Sequence, residues 1–150
     1  MLFRSADPIR EAIYIVNQGL GSISSYNIDT GTGTLEEAGS PSLSGNNVQW
    51  VATDPHGKFL YTTAKGDDTV AAFKIHANTG TLETIEISNP TGDGPAGLAV
   101  DPTGNYLYVT NVNDSSVSAF KINASGALTA GGTFPAGSQP YYMTTVRIIE

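Results

Sequence analysis

A chain of 150 residues with 39% hydrophobic and only 14% charged residues can bury one core, and its wealth of glycine and proline marks a turn-rich β protein. Seven basic against 14 acidic residues leave a net charge of −7, which sets the mean field against polyanions and excludes nucleic acid as the expected partner. Lack of cysteine removes disulfides, thiolate nucleophiles and cysteine-ligated zinc. The N-terminal MLFRSADPIR breaks any apolar stretch with charge and proline, and no apolar run of membrane-spanning length follows, so a soluble, cytoplasmic protein without a membrane partner is expected.

A repeat organises everything else. Tyr14, Tyr61 and Tyr108 recur at intervals of 47 residues; AIYIVN, FLYTTA and YLYVTN align around them, as do ISSYNI, VAAFKI and VSAFKI. The first copy, about residues 2–39, is expected to run through strands Leu2–Ala6, Ala12–Asn17, Ile23–Ile28 and Thr34–Ala38. The second, about 48–88, gives Val48–Thr53, Phe59–Ala64, Val70–Ile75 and Leu82–Ile87. The third, about 96–133, gives Ala96–Val100, Tyr106–Asn111, Val117–Ile122 and Ala127–Thr133. Asp7-Pro8, Asp54-Pro55 and Asp101-Pro102 fall at one place in the frame, with Gly57 and Gly104 closing a turn. Gly33, Gly80 and Gly126 mark a later hairpin that is one residue shorter in the third copy. After the third copy Pro140 aligns with Pro95, and Tyr141–Ile148 reads as an extra strand.

GDGPAG, Gly92 to Gly97, has the spacing of a dinucleotide-binding turn, but Pro95 removes an N–H donor and Asp101-Pro102 follows too soon for a helix. It reads as a joint between copies. In the third strands Tyr26, Phe73 and Phe120 fall on one face and Ile23, Val70 and Val117 on the other, so both faces need cover. Four-stranded units of this length that cover one another describe an all-β fold, a β-propeller of 47-residue blades with three blades per chain. Three blades leave an apolar face at each end. A homodimer closing a six-bladed ring is therefore expected, with Leu2–Ala6 or Tyr141–Ile148 crossing to the neighbour.

YLYVTNVNDSSVSAFKINASGALT, FLYTTAKGDDTVAAFKIHANTGTLE and GPAGLAVDPTGNYLYVTN resemble the lactonase family of β-propellers, which includes propeller-type 6-phosphogluconolactonases and carboxymuconate cyclases. Tyr108 to Asn111, YVTN, is also similar to the YVTN-repeat propellers. The resemblance implies lactone hydrolysis on a ring of seven blades, well over twice this length. The His and Arg set of the family's cyclases is not visible: His56 lies in the DPHG turn and His76 opens a hairpin.

In a propeller, the loops entering first strands and those joining second to third strands share one end of the ring. That end presents Asn17, Asn46, Asn47, Gln49, Asn111 and Gln139 as expected ligand-binding amides for a sugar lactone or another small polar ligand. Asp93 as general base and Lys65 as oxyanion partner are the expected catalytic pair, because no G-x-S-x-G elbow or recurring Ser, His and Asp set supplies a nucleophile. The same residue types also dominate turns for backbone reasons alone. Lys65–Asp68 and Asn113–Ser115 lack the alternating oxygens of a calcium loop, so neither metal nor cofactor is expected. The remaining basic residues are scattered, which disfavours a phosphorylated lactone. The alternative is a non-catalytic propeller scaffold that binds a small polar ligand or a protein.

Overall fold

The computed structural model describes residues 11–149. They form three four-stranded antiparallel sheets in chain order. Sheet 1 contains β1 (Glu11–Asn17), β2 (Ser22–Ile28), β3 (Leu35–Glu37) and β4 (Ser42–Leu43), with β3 and β4 both pairing with β2. Sheet 2 contains β5 (Val48–Thr53), β6 (Phe59–Ala64), β7 (Thr69–Ile75) and β8 (Leu82–Pro90). Sheet 3 contains β9 (Pro95–Val100), β10 (Tyr106–Asn111), β11 (Ser116–Ile122) and β12 (Leu128–Pro135). One 3₁₀ turn, Gln18–Leu20, joins β1 to β2, and no helix among the described residues is long and apolar enough to cross a membrane.

The aspartates ahead of proline do more than initiate turns. The Asp54 carboxylate accepts from the amides of His56 (3.0 Å), Lys58 (2.6 Å) and Phe59 (2.7 Å), and Asp101 accepts from those of Thr103 (3.0 Å), Asn105 (2.8 Å) and Tyr106 (2.8 Å). Each carboxylate thus ties the end of a first strand to the start of a second, while Gly57 and Gly104 take positive φ values of 67° and 77°.

Sheet 2 is covered on both faces. Ala71, Phe73 and Leu60 pack toward Tyr14 of sheet 1; Tyr61, Val70 and Ala72 pack with Leu98, Leu107, Val109 and Phe120 of sheet 3. This alternation along β7 places successive side chains in two different cores, which is why that strand reads apolar throughout. Each interface also carries a long-range latch: the Tyr14 hydroxyl donates to Gly80 O at 3.0 Å, and the Tyr61 hydroxyl to Gly126 O at 3.1 Å. The repeat thus places the same donor and acceptor at successive interfaces. Among the described residues nothing covers the outer faces of sheets 1 and 3, where Ile13, Ile15 and Leu35 are exposed on one and Tyr106 and Phe134 on the other.

The expected strand Leu2–Ala6 lies outside the described residues. Two other expectations change. Thr34–Ala38 is shorter than expected, and a second short strand follows it across Gly39 (φ 137°) and Pro41, whose missing N–H interrupts the ladder. Tyr141–Ile148 forms no strand. It lies beside β9, where Tyr141 O accepts from Gly97 N (3.0 Å) and the Thr145 hydroxyl donates to Val100 O (2.7 Å). A ladder needs a run of backbone bonds to one neighbour, and Gly97 N to Tyr141 O is the one backbone bond this segment makes among the described residues.

Candidate functional site

At the end of the stack where β5 and β9 begin, the predicted amides fall into two groups. Asn47, whose left-handed backbone (φ 52°) turns the chain into β5, accepts on Oδ1 from Gln18 Nε2 (2.9 Å) and Gln49 Nε2 (2.6 Å). Gln49 Oε1 accepts in turn from the Tyr141 hydroxyl at 3.3 Å. Beside this chain of bonds the Trp50 and Tyr142 rings meet edge-on at 5.3 Å, and Tyr142 leans on Tyr141 at 5.0 Å. Trp50 and both tyrosines remain exposed, so the cluster combines amide donors and acceptors with open aromatic surface. Asn47 and Gln49 were legible as loop and strand-entry amides; Gln18 and Tyr141 were not, because one lies in the 3₁₀ turn and the other in the segment read as a strand.

Gly97 explains why the cluster can close. A Cβ there would collide with Tyr141 O, whereas the equivalent positions carry Trp50 and Tyr142. The missing side chain admits the backbone that brings Tyr141 and Tyr142 to Trp50.

The second group is engaged in holding loops. Asn46 donates through its backbone (2.7 Å) and side chain (2.7 Å) to Asp67, and these bonds, the backbone one first, hold the Asp67 carboxyl below its ordinary value. Asp93 accepts from Asn113 Nδ2 (2.7 Å), and its amide donates to Asp114 (2.6 Å). The Gly94 amide donates to Asp68 at 2.9 Å, which brings the loop bearing Asp93 against the turn bearing Lys65. Lys65 and Asp93 form no ion pair among the described residues.

Two predicted ligands bind serines of their own sheets, Asn17 partly buried and Asn111 buried. Asn17 and Asn111 each donate to a pair of serine hydroxyls, Ser22 and Ser24 in sheet 1, Ser116 and Ser118 in sheet 3. Asn111 is fully buried because its side chain faces sheet 2, so it presents no surface to a ligand. Gln139 is exposed in a left-handed turn (φ 52°) equivalent to that of Asn47, apart from the amide chain. Among the described residues no three His, Asp or Glu side chains converge to hold a metal ion. One hollow of about 90 Å³, lined in part by Pro90, Ser118 and Thr133, is too small for a sugar lactone.

The sequence pattern of the family described as "Lactonase, 7-bladed beta-propeller" matches residues 49–145, nearly two thirds of the chain. The chain belongs to this lactonase family. Its fold is shared with solved propellers: a candidate 6-phosphogluconolactonase of Bacteroides fragilis NCTC 9343 superposes with a TM-score of 0.79 at 23% identity, over 88% of this chain and 40% of that one. A candidate 6-phosphogluconolactonase of Bacteroides uniformis ATCC 8492 gives 0.77 at 23% identity, over 87% and 39%. The periplasmic gluconolactonase of Pseudomonas aeruginosa gives 0.77 at 18% identity, over 87% and 40%. The lactonase-family chain therefore spans about 40% of the length of these structural relatives. No curated protein sequence matches it.

Proposed function

We propose that this lactonase-family chain hydrolyses a sugar lactone at the β5 end of the sheet stack. The observation carrying the reading is the Gln18–Asn47–Gln49–Tyr141 chain of hydrogen bonds, set against Trp50 and Tyr142; of these residues Gln49, Trp50, Tyr141 and Tyr142 lie in the span that matches the family. The amides would orient the lactone hydroxyls, and the aromatic rings would cover the apolar face of the sugar. Asp93 takes a proton from water, the resulting hydroxide adds to the lactone carbonyl carbon, and Lys65 stabilises the oxyanion. Collapse breaks the ring C–O bond, and the departing alkoxide receives the proton, giving the open hydroxy acid.

Hydrolysis of δ-gluconolactone in a pH-stat tests this. A rate above buffer is expected, with Asp93→Asn lowering kcat about 100-fold and Gln49→Ala acting mainly on KM. No rate above buffer from folded protein would end the enzyme reading. A non-catalytic binding scaffold is the second reading, and one observation favours it: Asp93, Asp67 and Asn46 are already committed to one another or to neighbouring loops.

A further inference from the structure

Four loops at the β5 end of the stack are joined into one surface. Lys65 N and Gly66 N donate to Asn47 O (3.1 Å) and Asn46 O (3.0 Å), tying the loop before β5 to the turn after β6. Val112 N and Asn113 N donate to Gly94 O (3.0 Å) and Asp93 O (3.2 Å), tying the loop before β9 to the turn after β10 in the same way. The bond from Gly94 N to Asp68 joins the two pairs. These loops, residues 44–47, 65–68, 91–94 and 112–115, carry four carboxylates, Asp67, Asp68, Asp93 and Asp114, against one cation, Lys65. All four aspartates are exposed, so their charge acts on whatever approaches the amide and aromatic cluster beside them.

Loop amides bind a phosphate or carboxylate where their N–H groups point free. Here the amide of Asn46 donates to Asp67 (2.7 Å), that of Asp93 to Asp114 (2.6 Å) and that of Gly94 to Asp68 (2.9 Å). Each of these three donors therefore already faces an anion of the chain itself. The backbone bond from Asn46, and then its side-chain bond, lower the Asp67 pKa, so that carboxylate stays charged at neutral pH. By contrast, the groups of the cluster are uncharged: the Gln49 amide, the Tyr141 hydroxyl and the Trp50 and Tyr142 rings. A ligand seated there meets hydrogen-bonding and apolar surface inside a negative rim.

We propose that the β5 end selects uncharged ligands: it takes a neutral lactone and repels anions, the ring-opened product among them. For the product the inference rests on the lactone reading above; for the ligand it rests on the cluster and its rim. Hydrolysis joins the oxygen of water to the carbonyl carbon, breaks the ring C–O bond and leaves a hydroxy acid whose carboxyl sheds a proton to solvent at neutral pH. A neutral molecule enters and an anion leaves. The four carboxylates add repulsion only after the ring has opened, so they favour release of the product over its rebinding. A lactone that carries a phosphoryl group is an anion before reaction and is disfavoured on entry.

Trp50 is the only tryptophan of the chain and lies in the cluster, so its fluorescence reads occupancy without catalysis. The probes are 1,5-anhydroglucitol, an uncharged ring that does not hydrolyse, sodium gluconate and glucose 6-phosphate. Each is titrated at neutral pH with ionic strength held at about 0.05 M and again at about 0.5 M. The uncharged ring should shift Trp50 emission at millimolar concentration, with each anion at least about ten-fold weaker in low salt and the gap narrowing in high salt. Asp67→Asn and Asp114→Asn, which keep an oxygen for the Asn46 and Asp93 amides, should each narrow the gap in low salt. Anions that bind as tightly as the uncharged ring, or a gap indifferent to salt and to both substitutions, overturn the proposal. So does a Trp50 signal that no probe moves. Binding of the uncharged ring with that gap, but no hydrolysis in the pH-stat, ends the enzyme reading and leaves the selection standing; hydrolysis without the gap does the reverse.

Discussion

Single atoms decide how one repeat holds the next. The Tyr61 hydroxyl is buried, and burial together with the nearby Asp54 charge raises its phenol pKa far above the ordinary value, so it remains a donor across the working pH range. Tyr61→Phe would strand the Gly126 carbonyl between sheets and is expected to cost about 1–2 kcal/mol in urea unfolding, with little change in circular dichroism. Gly97→Ala acts differently. Its Cβ would displace Tyr141 O, so faster amide exchange or proteolysis across residues 141–145 is expected, together with loss of the Trp50–Tyr142 contact. At Asp101 burial opposes ionisation, but the Thr103 hydroxyl and the amides of Tyr106, Thr103 and Asn105 outweigh it and lower the pKa. A lowered folded value stabilises above the unfolded pKa of about 4 and loses that stabilisation as pH falls through the folded value. The thermal midpoint should therefore be level from pH 7 to about 5 and decline below about 4, with a shallower acid slope in Asp101→Asn. A midpoint that rose on acidification would contradict this.

At the level of strands, stability concentrates in the middle of the stack. Phe73 on β7 is fully buried between sheets 1 and 2, so Phe73→Ala is expected to cost about 3–5 kcal/mol by chemical denaturation, enough to unfold much of the chain at room temperature. Second and third strands were legible because their tyrosines, phenylalanines and β-branched residues recur in one frame; β6 and β10 begin and end where the repeat places them. Fourth strands were less so. They lie at sheet edges with polar, exposed side chains, so little burial pins their ends, and β8 runs on to Pro90 while β12 reaches Pro135. The site shows the same division. Asn47 and Gln49 could be placed from loop position, but Asn17 and Asn111 are polar residues of strands whose faces a turn-based argument does not resolve. Tyr141 enters the cluster only because Gly97 lets a distant backbone approach, a contact no local pattern encodes.

For the molecule as a whole, the candidate site gathers residues from distant parts of the chain: Gln18 follows β1, Asn47 leads into β5 and Gln49 lies near its start, and Tyr141 comes from the segment beyond β12. Trp50 fluorescence should therefore change at the same urea concentration as far-ultraviolet circular dichroism if the stack unfolds as one unit. Separate midpoints would show the cluster opening on its own.

The tyrosine latches also give the stack a direction in time. Each hydroxyl reaches forward along the chain, by 66 residues from Tyr14 and by 65 from Tyr61, and never backward. During synthesis the first sheet can form its hairpins as soon as they emerge, but its latch waits for residue 80, and that of the second waits for residue 126. A nascent chain is therefore always one repeat short of being fastened, with its newest apolar face in water.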